Sequence, residues 1–269
     1  MDLAFTKMNG AGNDFVMLDN RDRRITLAPA AIARLCDRHR GIGADGLLAA
    51  EPPEGAADLR MRYYNADGGE AEMCGNGARC FARFAQRLLG DGRPRVSFET
   101  PAGTIHADLA GELVTLRMSD PKDLRPDAEL DLAGNRRIVG FLNTGVPHAV
   151  VFVDNLDSTD VLAEGRAARF HPAFAPAGTN ANFVAVHAPG RLSIRTYERG
   201  VEGETLACGT GVCAVALAHA AKENLDGPVD VRVRGGDTLR VSFVRTPDGF
   251  RDVTLTGPAD FVFEGRISL

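Results

Sequence analysis

The feature that most constrains this chain is a repeated pattern in which a cysteine and two glycines lead into an apolar helix. The sequence reads Cys-Gly-Asn-Gly from Cys74 and Cys-Gly-Thr-Gly from Cys208, and helical periodicity follows each tetrapeptide. The two cysteines are 134 positions apart in a chain of 269 residues. Similar strand-like segments, 96–118 and 231–257, follow the two helices. The tetrapeptide alone could be a helix-entry turn used twice, but the half-chain spacing and the matching flanks indicate an internal duplication.

Short strands make up most of the remaining sequence. Alternating or β-branched apolar stretches recur in both halves and are separated by Gly, Asp and Pro turns. Because many of these linkers are too short for a crossover helix, we expect mainly antiparallel pairing. Helical periodicity is clearest at 29–40, 77–89, 160–170 and 211–225. The pattern predicts an α/β (α+β) fold.

The duplication and the composition of the middle of the chain predict two domains. Residues 119–137 are polar and contain two prolines, which is typical of a link between domains. We therefore place an N-terminal domain at 1–118 and a C-terminal domain at 119–260. The last strand, 261–269, is a candidate to return to the first domain.

Composition and charge exclude several classes of partner. The net charge of −5 is spread without a basic stripe, so we expect no nucleic-acid partner. No apolar run approaches the roughly 20 residues that cross a bilayer, and the N-terminus lacks the zones of a signal peptide, so we expect a cytoplasmic protein without membrane contact. Five cysteines, an odd number in a chain of this size, favour thiols over a disulfide framework.

The position of Cys74 and Cys208 suggests proton transfer. A thiol at a glycine-rich helix entry lies in the positive field of the helix N-terminus, so we expect its pKa to fall below the usual value of about 8.5. If the two halves are related by an approximate two-fold axis, both sulfurs face one carbon. One thiolate then removes a proton from one face while the other thiol delivers a proton to the opposite face, and the configuration inverts. The residues thus favour a cofactor-independent amino-acid epimerase.

Other motifs point to weaker alternatives. Residues 41–46 match Gly-x-Gly-x-x-Gly, but a helical segment precedes them and a strand follows, which is the reverse of a dinucleotide site. The intervals from Cys74 to Cys80 and from Cys208 to Cys213 do not have the short spacing common in zinc knuckles, so we expect no metal site.

Three cysteines and one histidine have a structural interpretation. Cys36, Cys80 and Cys213 fall in apolar helical stretches, where cysteine usually acts as a small hydrophobe. His148 lies at the entry of a strand, and without further context its neighbours favour a structural role.

Several longer segments together resemble the diaminopimelate epimerase family over nearly the whole chain. They are MNGAGNDFVMLDN, GIGADGLL, YYNADGGEAEMCGNGARCFARF, FETPAGTIHA, GTNANFVAV and YERGVEGETLACGTGVCA. The resemblance implies interconversion of LL- and meso-2,6-diaminopimelate in lysine and peptidoglycan precursor synthesis, without pyridoxal phosphate or metal. It implies two similar domains related by a pseudo-two-fold axis, each a mainly antiparallel sheet wrapped round a central helix. It also suggests a homodimer.

The resemblance assigns roles residue by residue. Cys74 would act as the base toward the LL isomer and Cys208 as the opposing acid, with the roles exchanged in the reverse direction. His148 and Glu198 match positions that tune the two thiols, which shifts our interpretation of His148 toward function. The substrate-binding residues implied by the motifs are Asn13, Asn65, Gly75, Asn76, Asn180, Glu198, Arg199, Gly209 and Thr210.

Two positions depart from the family pattern. Gly46 stands where many members have Gln, and Val146 stands where many have Asn before Pro-His. Neither residue supplies a side-chain amide, so some contacts to the distal end of the substrate must differ or pass to backbone and water.

Two alternative functions stay open at this point. A proline or hydroxyproline racemase on the same scaffold would not need Glu198 and Arg199. A binding or redox-sensing protein could use the two thiols as a reversible switch.

Overall fold

The computed structural model describes residues 2–269. Within that range the chain forms eighteen strands, four α-helices and a 3-10 turn at Pro172–Phe174. The strands of the first half are β1 (Asp2–Gly10), β2 (Asn13–Asp19), β3 (Gly46–Glu51), β4 (Leu59–Asn65), β5 (Glu70–Ala71), β6 (Arg95–Thr100), β7 (Gly103–Ala110) and β8 (Leu113–Arg117). The later strands are β9 (Lys122–Leu132), β10 (Asn135–Asn143), β11 (Pro147–Phe152), β12 (Asn180–Ala188), β13 (Arg191–Glu198), β14 (Gly203–Thr205), β15 (Val229–Arg232), β16 (Thr238–Thr246), β17 (Gly249–Pro258) and β18 (Asp260–Ser268).

The four helices are α1 (Pro29–Cys36), α2 (Gly75–Leu89), α3 (Val161–Arg169) and α4 (Gly209–Glu223). Each overlaps one of the four segments with helical periodicity, so the predicted helices are confirmed. The two long helices each end at a residue in the left-handed conformation, α2 at Gly90 (φ 73°) and α4 at Asn224 (φ 56°). Glycine and asparagine are the residue types that most readily adopt this conformation at a helix C-terminus.

The chain divides into two compact units. Unit 1 contains the residues up to Leu116 together with Gly257–Leu269, and unit 2 contains Arg117–Thr256. From the sequence we expect the corresponding boundaries after residue 118 and near residue 261. In unit 1 the last strand, β18, pairs antiparallel with β1.

Unit 1 is built from antiparallel pairs joined by two parallel ones. β1 pairs antiparallel with β2, and β2 pairs parallel with β3. β3 pairs antiparallel with β4, which pairs antiparallel with β5 and parallel with β6. β6, β7 and β8 form an antiparallel meander. The mainly antiparallel α+β prediction is therefore confirmed.

Unit 2 repeats the same order of pairings. β10 pairs antiparallel with β11 and with β9, as β1 does with β2 and β18. The parallel pair β11–β12 is followed by antiparallel β12–β13 and β13–β14, the parallel pair β13–β15 and an antiparallel meander through β17. The repeated topology supports the predicted internal duplication.

A buried helix packs against the sheet of each unit. α2 packs against β1, β2, β3, β6 and β7, and α4 packs against β10, β11, β12, β13, β15 and β16. The smaller helices cover other core clusters. Ile32 and Leu35 of α1 pack with Leu3 and Val16. Among residues 2–269, no helix is both long enough and apolar enough to cross a membrane.

Candidate active site

Each of the two motif cysteines stands at the N-cap of a buried helix. Cys74 precedes α2 with extended backbone (φ −137°, ψ 122°), and Cys208 precedes α4 in a similar conformation (φ −125°, ψ 108°). Their carbonyls accept the first helical hydrogen bonds, from Ala78 N at 2.7 Å and from Val212 N at 2.9 Å. Both cysteines are half-buried. Because the first N–H groups of a helix have no carbonyl partner within it and the dipole is positive there, both positions favour negative charge.

In unit 1, Asn76 is tied to Asn13 through a chain of oriented amides. Asn76 Nδ2 donates to Asn13 Oδ1 at 2.6 Å, and Asn13 Nδ2 donates to Asp45 Oδ2 at 2.8 Å. Arg79 Nη2 donates to Asn76 Oδ1 at 2.8 Å. A carboxylate only accepts and a guanidinium only donates, so the two ends fix both amides in one orientation. The structure thus brings two of the predicted site residues into direct contact.

A charged cluster holds Asp45 in place. Arg38 Nη2 contacts Asp45 Oδ1 at 2.8 Å and Asp14 Oδ1 at 2.7 Å, and Lys7 Nζ lies 2.7 Å from Asp14 Oδ2. Burial of the Asp14 carboxyl would raise its pKa, but the hydrogen bonds and charges of Arg38 and Lys7 outweigh burial and lower the pKa to about 2. Asp14 therefore stays ionised over the physiological range, and the cluster anchors Asp45, which accepts the hydrogen bond from Asn13.

The turn that carries Cys74 packs closely on the end of β1. Arg79 is fully buried and also donates to the carbonyls of Pro258 at 3.3 Å and Gly10 at 3.5 Å. A Cβ at Gly10 would lie 2.7 Å from the Asn76 carbonyl oxygen. Only glycine fits there, and this close approach fixes the first turn of α2.

In unit 2, Cys208 is connected to His148 through a hydroxyl. Thr210 Oγ1 lies 3.5 Å from Cys208 Sγ and 3.0 Å from His148 Nε2, while Thr144 Oγ1 donates to the Thr210 carbonyl at 2.8 Å. His148 is fully buried, and burial lowers its pKa to about 3, with the positive charge of Arg199 acting in the same direction. The imidazole is therefore neutral at physiological pH, and three predicted site residues lie together.

The other predicted residues of unit 2 lie at strand ends. Asn180 begins β12, donates through Nδ2 to the Pro147 carbonyl at 3.0 Å and accepts from Arg199 N at 2.8 Å. Glu198 ends β13 and is partly buried, and burial raises the pKa of its carboxyl. Asn180 therefore joins the start of one strand to the segment that carries Glu198 and Arg199.

Three further predicted residues lie at the first positions of α2 and α4 and at the end of β4. A Cβ on Gly75 would meet nothing within 4 Å, so this position borders open space. Gly209 is the buried first residue of α4. Asn65 is exposed at the end of β4 and is paired in register with Gly46 of β3.

The two departures from the family pattern have local structural consequences. A Cβ on Gly46 would lie 2.6 Å from the Tyr64 carbonyl oxygen and 2.8 Å from Tyr63 Cε2, so this backbone admits no side chain at that position. Val146 is half-buried, and its carbonyl accepts from Thr144 N at 3.2 Å.

All five cysteines are present as thiols, as the sequence predicts. Cys36, Cys80 and Cys213 are buried. Burial raises the pKa of Cys36 to about 11 and that of Cys80 to about 12, so both stay protonated at neutral pH. The predicted packing role of these residues agrees with their burial.

Several residues that support the predicted site residues were not predicted from the sequence. Asp45 and Arg38 support Asn13 in unit 1. In the sequence both resemble ordinary charged surface residues. In unit 2, Asn182 contacts His148 at 3.1 Å and accepts from Thr196 at 3.0 Å. Asn182 is fully buried between Ala181 and Phe183 in β12. A buried polar residue needs a partner, so the sequence could mark Asn182 as unusual but could not show which residues it contacts.

Comparison with known proteins identifies the family. The diaminopimelate epimerase family model matches residues 5–122 and 140–262. The diaminopimelate epimerase of Chlorobaculum tepidum is 45% identical over 267 residues, covering 97% of this chain and all of its own. The diaminopimelate epimerase of Laribacter hongkongensis is 45% identical over 285 residues and covers both chains completely. The corresponding protein of Aquifex aeolicus is 40% identical, covering 99% of this chain and 98% of its own.

Solved structures with the same fold are more distant in sequence. A phenazine biosynthesis protein of the PhzF family from Bacillus anthracis has a TM-score of 0.73 at 16% identity, with both chains fully covered. A hydroxyproline epimerase from Agrobacterium vitis has a TM-score of 0.70 at 16% identity, covering 99% of this chain and 91% of its own. These likenesses show the two-domain fold. The family model and the full-length relatives establish that the chain belongs to the diaminopimelate epimerase family and is an amino-acid isomerase.

Proposed function

We propose that this chain interconverts LL- and meso-2,6-diaminopimelate by moving protons at one α-carbon between the substrate and two cysteines. Family membership supports the substrate, because the full-length relatives carry this name at 40–45% identity. The observation that carries the chemistry is the pair of thiols, Cys74 and Cys208, at the N-caps of duplicated buried helices.

The proposed reaction balances without a co-reactant. The Cys74 thiolate takes the α-proton of the LL isomer and becomes a thiol. The Cys208 thiol gives its proton to the opposite face of the carbon and becomes a thiolate. In the reverse direction the roles exchange, and proton exchange with water resets the pair. The chemistry uses only groups of the chain and substrate, so we propose no cofactor and no metal.

Backbone N–H groups at both helix entries would stabilise the intermediate charge. Removing the α-proton leaves negative charge that spreads into the neighbouring carboxylate. The N–H groups of Gly75, Asn76, Gly209 and Thr210 are oriented by the first helical turns and can donate to that carboxylate. Such donors are fixed before the reaction, so little reorganisation is needed when charge develops.

The distal end of the substrate carries a second ammonium and a second carboxylate. A carboxylate and a guanidinium at Glu198 and Arg199 complement those two charges. We propose that these two residues hold the distal group together with the side-chain amides of Asn13, Asn65 and Asn180. We propose that His148 and Glu198 also tune the two thiols.

The physiological setting follows from the proposed substrate. We propose that the chain works in lysine and peptidoglycan precursor synthesis in the cytoplasm, with a small molecule as substrate and no nucleic-acid or membrane partner. We propose a homodimer. Sedimentation velocity of the purified protein tests the dimer, and a monomer at micromolar concentration would contradict it.

The activity is tested by following stereochemistry directly. Purified protein is incubated with LL-diaminopimelate, and the isomers are separated on a chiral column; we expect the meso isomer to accumulate to equilibrium. L-Proline and trans-4-hydroxyproline, run in parallel, should stay unchanged. Inversion of either imino acid in preference to diaminopimelate would favour a racemase of the other type.

Single cysteine variants separate catalysis from a redox switch. Cys74→Ser and Cys208→Ser should each lose inversion by at least about a hundredfold while keeping the wild-type circular dichroism spectrum. Cys80→Ser is a matched control, because Cys80 is buried within α2. Full inversion by either motif variant would contradict the two-thiol mechanism.

A further inference from the structure

A row of hydrogen bonds in unit 2 runs across three strands toward Cys208. Thr196 of β13 and Asn182 of β12 are paired in register, and Thr196 Oγ1 donates to Asn182 Oδ1 at 3.0 Å. Asn182 Nδ2 lies 3.1 Å from His148 Nδ1 on β11. His148 Nε2 lies 3.0 Å from Thr210 Oγ1, which lies 3.5 Å from Cys208 Sγ.

The amide of Asn182 has only one acceptable orientation. Its Nδ2 lies 2.9 Å from the Ala149 carbonyl oxygen, which only accepts hydrogen bonds. The NH₂ group must therefore face Ala149, and its second hydrogen faces His148 Nδ1. The amide oxygen faces the Thr196 hydroxyl, which donates to it. Two independent partners thus set the orientation.

That orientation decides the tautomer of His148. An NH₂ group only donates, so His148 Nδ1 must accept and carries no proton. Because burial keeps this imidazole neutral, its one proton lies on Nε2. The Nε2–H donates to Thr210 Oγ1, and the Thr210 hydroxyl hydrogen is then directed away from His148 and available to Cys208 Sγ. Every bond in the row therefore points its hydrogen toward the sulfur.

We infer that Asn182 is a positioning residue that holds His148 in its Nε2–H form, so that the Thr210 hydroxyl donates to Cys208 Sγ and stabilises the thiolate. This inference rests on the proposed role of Cys208 as one of the two acid–base groups. A hydrogen bond to a charged acceptor shifts an ionisation equilibrium by about 10- to 100-fold, which suits a thiol that must be part-ionised near neutrality.

The first-half helix has an apolar neighbour at the corresponding place. A Cβ on Gly211 would meet Asn182 Oδ1 at 2.5 Å and His148 Cε1 at 3.4 Å, whereas a Cβ on Gly77 would meet Leu48 Cδ1 at 3.3 Å. In unit 1, Leu48 therefore packs against the turn of α2 that corresponds to the Gly211 turn of α4. Asn182→Leu is accordingly a substitution for which the chain itself provides a structural precedent.

The tautomer is tested by nitrogen NMR on the full-length protein labelled with ¹⁵N-histidine. The His148 resonances, assigned by their loss in His148→Gln, should show a protonated Nε2 and an unprotonated Nδ1 at neutral pH. A proton on Nδ1, or an imidazolium, would overturn the inference. In Asn182→Leu we expect the Nε2–H form to lose its dominance. This experiment needs no turnover, so it is independent of the proposed function.

The effect on the sulfur is tested by alkylation against pH. Iodoacetamide modification of Cys208 and Cys74 is quantified separately by peptide mass spectrometry. Thr210→Val should lower the Cys208 thiolate fraction about tenfold and move its profile about one unit toward higher pH. Asn182→Leu should move it in the same direction by several-fold. Thr210→Ser keeps the hydroxyl and should restore the wild-type profile, and Cys74 should not respond in any variant.

The measurements distinguish failure of this inference from failure of the proposed function. An unchanged Cys208 profile in folded Thr210→Val would refute the role of the hydroxyl, and Thr210→Val carries this test even if Asn182→Leu fails to fold. A parallel shift of Cys74 and Cys208 would indicate a general change in structure and overturn the inference. If the wild-type protein does not invert diaminopimelate but both measurements give the expected results, the proposed function fails while the hydrogen-bond row stands.

Discussion

Replacing Gly211 by alanine tests whether stability and activity depend on the close approach of α4 to Asn182. A Cβ on Gly211 would lie 2.5 Å from Asn182 Oδ1, and ordinary contact begins near 3.4 Å, so the amide oxygen must move by roughly 0.9 Å. The oxygen is not free to move, because Thr196 Oγ1 donates to it at 3.0 Å and the amide nitrogen donates to the Ala149 carbonyl.

Two opposing effects set the expected change in stability. Overpacking of a tight interior site costs about 1–3 kcal/mol. Alanine gains about 0.5–1 kcal/mol over glycine in a helix, and Gly211 already has helical backbone. The steric cost is larger, so we expect Gly211→Ala to lower the free energy of unfolding by about 1–2 kcal/mol, or the melting temperature by about 2–8 °C.

The assay is thermal unfolding followed by circular dichroism, with Gly75→Ala as the matched control. A Cβ on Gly75 meets nothing within 4 Å, so this variant should melt at or slightly above the wild-type temperature. Gly211→Ala should also lose activity by about tenfold or more, because displacement of Asn182 disturbs the groups that lead to Cys208. Equal stability of the two variants, with full activity of Gly211→Ala, would refute the close packing of α4 against Asn182.

Three further results follow from the structure. The pKa of Asp14 is held near 2, below the value of 3.8 for the unfolded chain, so the stability it contributes is present above pH 4 and is lost as the pH falls toward 2; a pH series of melting temperatures should show this acid loss, of about 1–2 kcal/mol after allowance for partial exposure, in the wild type and not in Asp14→Asn. Gly46→Gln should destabilise the protein by more than about 2 kcal/mol in a urea titration, because its Cβ would meet the immobile Tyr64 carbonyl at 2.6 Å, and a neutral result would contradict that contact. Iodoacetamide should leave Cys36 and Cys80 unmodified in the native protein, since both are buried with raised pKa values, and rapid labelling of either would contradict their packing role.

Local patterns predicted the elements of the fold well. The four periodic segments became α1 to α4, and the Cys-Gly-x-Gly spacing predicted the duplication that the strand pairings repeat. These features were accessible because helix periodicity and glycine-rich helix entries depend on neighbours within a few residues. The return of β18 to β1 joins residues more than 250 positions apart, and no local pattern states such a pairing.

The sequence predicted the site residues that the cysteine motifs mark. It did not predict the residues that support them through tertiary packing. Cys208 and Thr210 belong to one motif, and their place at the N-terminus of α4 followed from it. Asn182 and Thr196 act through cross-strand register, which depends on the alignment of β12 with β13. Asp45 supports Asn13 from a position 32 residues away. Such supporting contacts arise from tertiary packing, which a single sequence does not display.

In the proposed mechanism two different sulfurs act on the two faces of one carbon, and the early course of deuterium incorporation distinguishes it from a mechanism with a single base. LL-diaminopimelate is incubated with the enzyme in deuterated water, and substrate and product are analysed by mass spectrometry before appreciable reversal. Because the donor thiol exchanges with solvent before each turnover, we predict one deuterium in nearly all of the meso product and none in the remaining LL substrate. A meso product that keeps the original proton would show that a single group carries it from one face to the other, and would contradict the two-thiol mechanism.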